Sequence, residues 1–165
     1  MGQEFLFSMD RVTAFKEGDA DGVPKSCIAG QIAELVFEAE AAKRGWMTYR
    51  PSGHATAIDV VVGSHKSKLI GIQIKKGSIT PTGWLVNFGH MGWKKENGKR
   101  IPYRKAYRES DFDVMAVYLQ ERDSFIFYHY RDMPKAMHSM VNPSNLRYPE
   151  NNWHVLESEE YSAPL

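Results

Sequence analysis

The chain has 165 residues, 42% of them hydrophobic and 25% charged, near the averages for globular proteins, so composition excludes a disordered or fibrous polypeptide and leaves room for one sizeable core. One cysteine, Cys27, excludes an intramolecular disulfide, and no apolar run approaches the roughly 20 residues that span a bilayer. The net charge of +1 conceals an asymmetry: Lys94, Lys95, Lys99, Arg100, Arg104, Lys105 and Arg108 face Glu96 alone, while acids gather toward the two ends, so a polyanion would be held mid-chain.

The start Met1-Gly2-Gln3-Glu4 has no basic stretch followed by a long apolar run, so the expected location is cytoplasmic and the expected partners do not include a membrane. Residues 1–24 combine Phe5, Leu6 and Phe7 with Gly18, Gly22 and Pro24 without sustained periodicity; they read as an irregular arm, and residues 25–165 as a single domain. Ile28, Ile32, Leu35, Val36, Ala39 and Ala42 recur at helical spacing after a possible cap at Ser26 and stop at Gly45, which predicts a helix over 28–44. Three short strands follow over 46–50, 58–62 and 68–75, separated by Pro51-Ser52-Gly53 and Gly63-Ser64, and should form a meander beside the helix. The segment 79–110 offers one strand, 84–88, and is otherwise open. Two strands over 114–119 and 125–130, joined by Gln120-Glu121-Arg122-Asp123, precede an expected short helix over 134–140 and an irregular tail.

Chemistry concentrates in two of these strands. Asp59 stands inside Ala57-Ile58-Asp59-Val60-Val61-Val62, and a carboxylate among apolar neighbours is costly to bury unless paired or bound to a cation. In Leu69-Ile70-Gly71-Ile72-Gln73-Ile74-Lys75 strand alternation places Gln73 and Lys75 on one face and Ile72 and Ile74 on the other. If the strands are neighbours, two oxygen donors suited to a hard divalent cation converge with one ammonium that can hold a phosphate or a water. Taken singly, a lone Asp is also what a turn or edge residue looks like, and Gln-x-Lys what a solvated face looks like. Their order decides otherwise: a helix with a carboxylate, a Gly/Pro turn, an apolar-Asp-apolar strand and an apolar-Gln-apolar-Lys strand.

That order, over about residues 28–76, resembles the core of the PD-(D/E)XK nucleases. Gly30-Gln31-Ile32-Ala33-Glu34, Arg44-Gly45, Arg50-Pro51, Ile58-Asp59 and Ile72-Gln73-Ile74-Lys75 look more narrowly like the intron-encoded homing endonucleases of that superfamily, which also tend to carry Gln in the usual Asp/Glu position. Asp111-Phe112-Asp113-Val114-Met115-Ala116-Val117-Tyr118 resembles their next strand. The resemblance implies an α/β fold with a restriction-endonuclease-like core, a central mixed sheet of about four to six strands flanked by helices, and Mg²⁺- or Mn²⁺-dependent hydrolysis of DNA. It makes Asp59 the central metal ligand, aided by the Gln73 side-chain carbonyl and the Ile74 backbone carbonyl, with Glu34 at a second metal or a water. Lys75 would position or help deprotonate the attacking water and stabilise charge growing on the phosphate. Helical periodicity does not choose Glu34, which lies away from the apolar face; Glu38 lies nearer its edge.

Ser52 and His54 could contact the scissile phosphate or order a water, although Pro-Ser-Gly-His is more often only a turn. Lys76 and the basic run Lys94, Lys95, Lys99, Arg100, Arg104 and Lys105 would bind DNA, with Trp84, Trp93, Tyr103 and Tyr107 stacking on bases or sugars; a solvated basic loop anchored by aromatics is the competing reading. His129 and His138 have no partner at metal-ligand spacing, and no Gly-rich phosphate cradle occurs, so zinc, thiol and nucleotide-hydrolase chemistry lack support. The expected partner is double-stranded or branched DNA, in association with the nucleoid, cut by a homodimer or higher homo-oligomer because one site cuts one strand. A Holliday-junction resolvase of the same superfamily, or a catalytically decayed DNA-binding module, are the alternatives.

Overall fold

Gly45 ends the first helix because its backbone takes a positive φ of 79°, a region that costs an L side chain energy. In the computed structural model α1 spans Lys25–Lys43, and the amides of Arg44, Gly45 and Trp46 bond back to the carbonyls of Ala41 and Ala42, satisfying the last turn. The structure describes residues 25–52, 56–63, 68–142, 144 and 149–157; the expected arm over 1–24 lies outside them. The buried stripe of α1 differs from the expected one. Ala33, Phe37 and Ala41 enter the core, whereas Leu35 remains 55% exposed and Ala39 and Ala42 face solvent. Apolar residues are spread around much of this helix, so periodicity alone did not single out a face; the small Ala33 and Ala41 let it sit close to the sheet on either side of Phe37.

A five-stranded sheet runs in the order β1-β2-β3-β8-β9, with β1 at Met47–Tyr49, β2 at Val60–Gly63, β3 at Ile70–Lys76, β8 at Val114–Leu119 and β9 at Ser124–His129. The first three strands form the expected antiparallel meander, and β3 pairs with β8 in parallel, which makes the sheet mixed. A parallel neighbour needs a long crossover. Here the crossover is not a helix but four strands, β4 at Ser78–Thr80, β5 at Gly83–Asn87, β6 at Gly89–Glu96 and β7 at Lys99–Ala106.

Both faces of the central sheet are covered, so β8 is buried along its whole length, as a strand between two layers must be. Against one face α1 packs with Phe37 edge-on to Phe125 and within 5.2 Å of Trp153. The tail contributes here: the short turn Trp153–Leu156 buries Trp153, Val155 and Leu156, in contrast to the irregular tail expected. Against the other face lie Val86, Phe88, Tyr107, Phe112 and Val141, packed on Met115, Val117, Leu119 and Ile126.

The helix expected over 134–140 does not form. Tyr130–Asp132 makes a single helical turn, and β10, His138–Val141, joins the small sheet β10-β5-β4, its Met140 opposite Leu85. A strand more than 50 residues away in sequence supplies the hydrogen bonds that outweigh local helical preference. Among the described residues α1 is therefore the helix that flanks the sheet.

Candidate active site

Asp59 immediately precedes β2, and its amide donates to the Ile72 carbonyl at 2.9 Å. The antiparallel pairing of Val60 with Ile72 thus brings Asp59 beside Gln73. One oxygen of the carboxylate, Oδ2, accepts the Ile74 amide at 2.7 Å and the Gln73 side-chain amide. The Gln73 nitrogen also donates to the Ile74 carbonyl at 3.1 Å, and the Gln73 side chain is buried. Two oxygens, the Asp59 carboxylate and the Ile74 carbonyl, therefore converge on one polar group.

Lys75 follows on the same face of β3, toward the layer that contains Tyr107, and its Nζ lies 5.4 Å from the centre of the Tyr107 ring. Burial pushes the Lys75 ammonium down from its ordinary value, while Asp59 and Glu34 hold it up against that shift. Burial raises the Asp59 carboxyl; the Ile74 amide opposes this, Glu34 adds to it, and Lys75 and Arg50 oppose it. Each group disfavours its own charge and favours its partner's, the pattern of a site tuned by burial against paired charge. Tyr107 is pushed up as well, by burial first and then by Asp59 and Asp111, so it stays a neutral phenol under Lys75.

Glu34 does not join the Asp59 cluster. Its Oε2 accepts from Arg50 at 3.0 Å, and the other Arg50 nitrogen pairs with Glu38. Both helix carboxylates thus turn to one guanidinium just after β1, and the influence of Glu34 on Asp59 and Lys75 is electrostatic. Glu34 and Glu38 follow the buried Ala33 and Phe37 by one position each, so both lie at the edge of the true buried stripe; the apolar face read from sequence had separated them. Among the described residues no group of three His, Cys, Asp or Glu is placed to hold a metal.

Of the remaining sequence candidates, Ser52 is exposed in the loop after β1, His54 lies outside the described residues, and Lys76 ends β3 half-buried. The basic run is not a loop. Lys94, Lys95, Lys99, Arg100, Arg104 and Lys105 all lie on the β6–β7 hairpin, closed by Asn97 and Gly98 at φ 51° and 77°. Asn-Gly with both residues at positive φ is a two-residue hairpin turn, a signal the sequence carries in plain view. The expected stacking aromatics divide: Tyr103 is exposed on this hairpin, whereas Tyr107 is only 6% exposed and Trp84 is engaged in the small sheet, its indole N–H donating to Glu121 at 3.2 Å. Neither of these two is free to stack on a base.

The PD-(D/E)XK endonuclease family model matches residues 26–158. The solved structure titled "The structure of a bacterial homing endonuclease: I-Ssp6803I" is similar at TM-score 0.62 and 22% identity, over 81% of this chain and 93% of that one, which is a likeness of fold. No curated protein matches. No described helix is long and apolar enough to cross a membrane.

Proposed function

The chain belongs to the PD-(D/E)XK endonuclease family, and on that premise we propose that it hydrolyses phosphodiester bonds in DNA at a site made by Asp59, Gln73, the Ile74 carbonyl and Lys75, with a divalent cation, Mg²⁺ or Mn²⁺, as cofactor. The observation that carries the reading is the convergence of the Asp59 carboxylate and the Ile74 carbonyl on the Gln73 amide. Two acceptors aimed at one point form the cage a hard cation needs, and a half-turn of the Gln73 amide presents a third oxygen to the same point. When bound there, the cation supplies positive charge to the scissile phosphate and to a nearby water.

The chain's own residues divide the remaining work. Asp59, held by the Ile74 amide, fixes the position of the charged cage and keeps one carboxylate oxygen beyond those hydrogen bonds. Lys75, half-buried and restrained by Tyr107, orients the attacking water and stabilises negative charge as it builds on the phosphate oxygens. Its lowered pKa lets it take up and return a proton more readily than a solvated lysine. Arg50 holds Glu34 and Glu38 back, which limits negative charge near the incoming phosphate. Residues 25–165 act as one nuclease domain, since both core layers share the central sheet, and cleavage of both strands of a duplex calls for two copies.

The homing type is the reading we favour over a junction resolvase, on the resemblance of the Gln73-Ile74-Lys75 strand and its flanks and on an exposed arm suited to reading sequence. Incubation with a linear duplex library and with immobile four-way junctions, with and without Mg²⁺, tests it. The expected result is Mg²⁺-dependent cutting of a restricted set of linear sequences. Sequence-indifferent cutting of junctions would favour the resolvase, and binding without any cutting would favour a decayed module.

A further inference from the structure

The β6–β7 hairpin leaves the domain as an arm: every residue whose burial is described from Lys94 to Arg104 is exposed. Its register pairs His90 with Lys105, Gly92 with Tyr103, Lys94 with Ile101 and Glu96 with Lys99. Strand alternation sets these residues on one face and Met91, Lys95, Arg100 and Arg104 on the other. The two faces are rooted differently. On the first, His90 stacks on Tyr107 at 5.0 Å, the same ring that lies under Lys75. On the second, Arg104 contacts His138 of β10. The first face is therefore a continuation of the surface around Lys75. Gly92 belongs to it for a reason: a Cβ there would stand 2.8 Å from the Tyr103 ring, so glycine lets that ring lie across the neighbouring strand.

We propose that the His90, Lys94, Lys99, Tyr103 and Lys105 face of this arm lies in the major groove beside the cut and reads base edges there, an inference that rests on the nuclease reading above. A two-stranded ribbon fits a major groove about 12 Å wide and not a minor groove of about 6 Å. Charge complementarity is strong, with Glu96 the acid among the hairpin's cations and already paired with Lys94 at 3.2 Å. The eight residues of each strand, at a rise of about 3.3 Å, reach roughly 26 Å, or about eight base pairs at 3.4 Å each. Lysine suits guanine edges, and the apolar surface of Ile101 and Tyr103 suits thymine methyl groups.

The test uses a pool of linear duplexes with randomised sequence, selected in two ways: by cleavage in Mg²⁺ and by binding in EDTA. The wild-type protein is compared with a first-face variant, K94A/K99A/Y103A, and a second-face variant, K95A/R100A, all checked for an unchanged thermal transition. Wild-type preference is expected to extend about eight base pairs to each side of the cut. The first-face variant should lose roughly 5- to 150-fold discrimination at each position it read, together with protection of guanine N7 from dimethyl sulfate. The second-face variant should bind more weakly at every sequence and keep the same pattern. An unchanged pattern in the first-face variant, or its loss in the second-face variant, overturns the arm's role even if the protein cuts DNA; so does wild-type binding without sequence preference. Sequence preference in the binding selection with no cutting in Mg²⁺ overturns the nuclease reading and leaves the arm supported.

Discussion

Arg50 donates to Glu34 across 3.0 Å and pairs with Glu38 through its other nitrogen, so a single guanidinium on the loop after β1 neutralises two carboxylates of α1. Exposed ion pairs of this kind add only about 0–1 kcal/mol to stability; the consequence lies in the field at Asp59. Arg50 lowers the Asp59 pKa and Glu34 raises it. Removal of the cation in Arg50→Ala leaves both acids uncompensated and raises Asp59 further, so the acid limb of the cleavage pH profile should move to higher pH. The loss in rate should be confined to that limb and disappear on its alkaline side, where Asp59 is ionised in both proteins. Arg50→Lys should fall between the two, and a pH profile identical to wild type in both variants would refute the coupling.

Asp59→Asn and Lys75→Ala should each lower cleavage by at least about a hundred-fold while DNA binding persists, because these groups act on charge that develops in the transition state. Asp59→Asn carries a second, less obvious expectation. A carboxyl with a raised folded pKa binds its proton more tightly in the folded state, so its contribution to stability is present below the unfolded carboxylate range and is lost as pH rises through the folded value. At neutral pH ionised Asp59 therefore costs stability, and the asparagine amide oxygen can still accept from Ile74 and Gln73. The variant should melt higher at neutral pH, on the order of 2–4 °C, with the gain fading on acidification. Calorimetry across pH, alongside gel-shift and cleavage assays, checks both halves.

Gln73→Glu replaces the amide that donates to Asp59 and to the Ile74 carbonyl with a carboxylate facing two acceptors. Without a divalent cation these oxygens repel, and the variant should melt several degrees below wild type in EDTA. Saturating Mg²⁺ should reverse the deficit, and half-maximal stabilisation should come at lower Mg²⁺ than in the wild type, since the site gains a negative charge. A thermal titration with Mg²⁺ reads this directly. A deficit that Mg²⁺ does not repair would remove the cation from this position.

Replacing Lys94, Lys95, Lys99 and Arg100 together with Ala should leave the fold intact, because all four are exposed on the hairpin, and weaken DNA binding sharply. Each phosphate neutralised contributes about 0.9 to the slope of log affinity against log salt. The slope should flatten by about 2 to 4, according to how many of the four touch phosphates. An unaltered slope would place the hairpin outside the interface.

Local sequence determined the parts of this protein that need no distant partner. Gly45 stops α1, alternation sets Gln73 and Lys75 on one face of β3, and a carboxylate in an apolar strand marks Asp59 as a group that must be matched. Asn97-Gly98 is a local hairpin-turn signal as well, but the strands it joins are largely polar and carry no apolar alternation by which sequence alone would mark them. Tertiary structure decided what depends on residues far apart in the chain. Local preference over 134–140 yields to β5, which turns His138–Val141 into a strand. The buried face of α1 is set by which side chains the sheet can admit, so Phe37 with two alanines displaces Leu35. The Gln73 amide, the shared grip of Arg50 on Glu34 and Glu38, and Tyr107 beneath Lys75 arise only once β2, β3, α1 and the end of β7 meet. The reason is physical: residue type fixes the chemistry a side chain can perform, while burial and charge pairing, which exist only in the assembled fold, determine its ionisation and its partner.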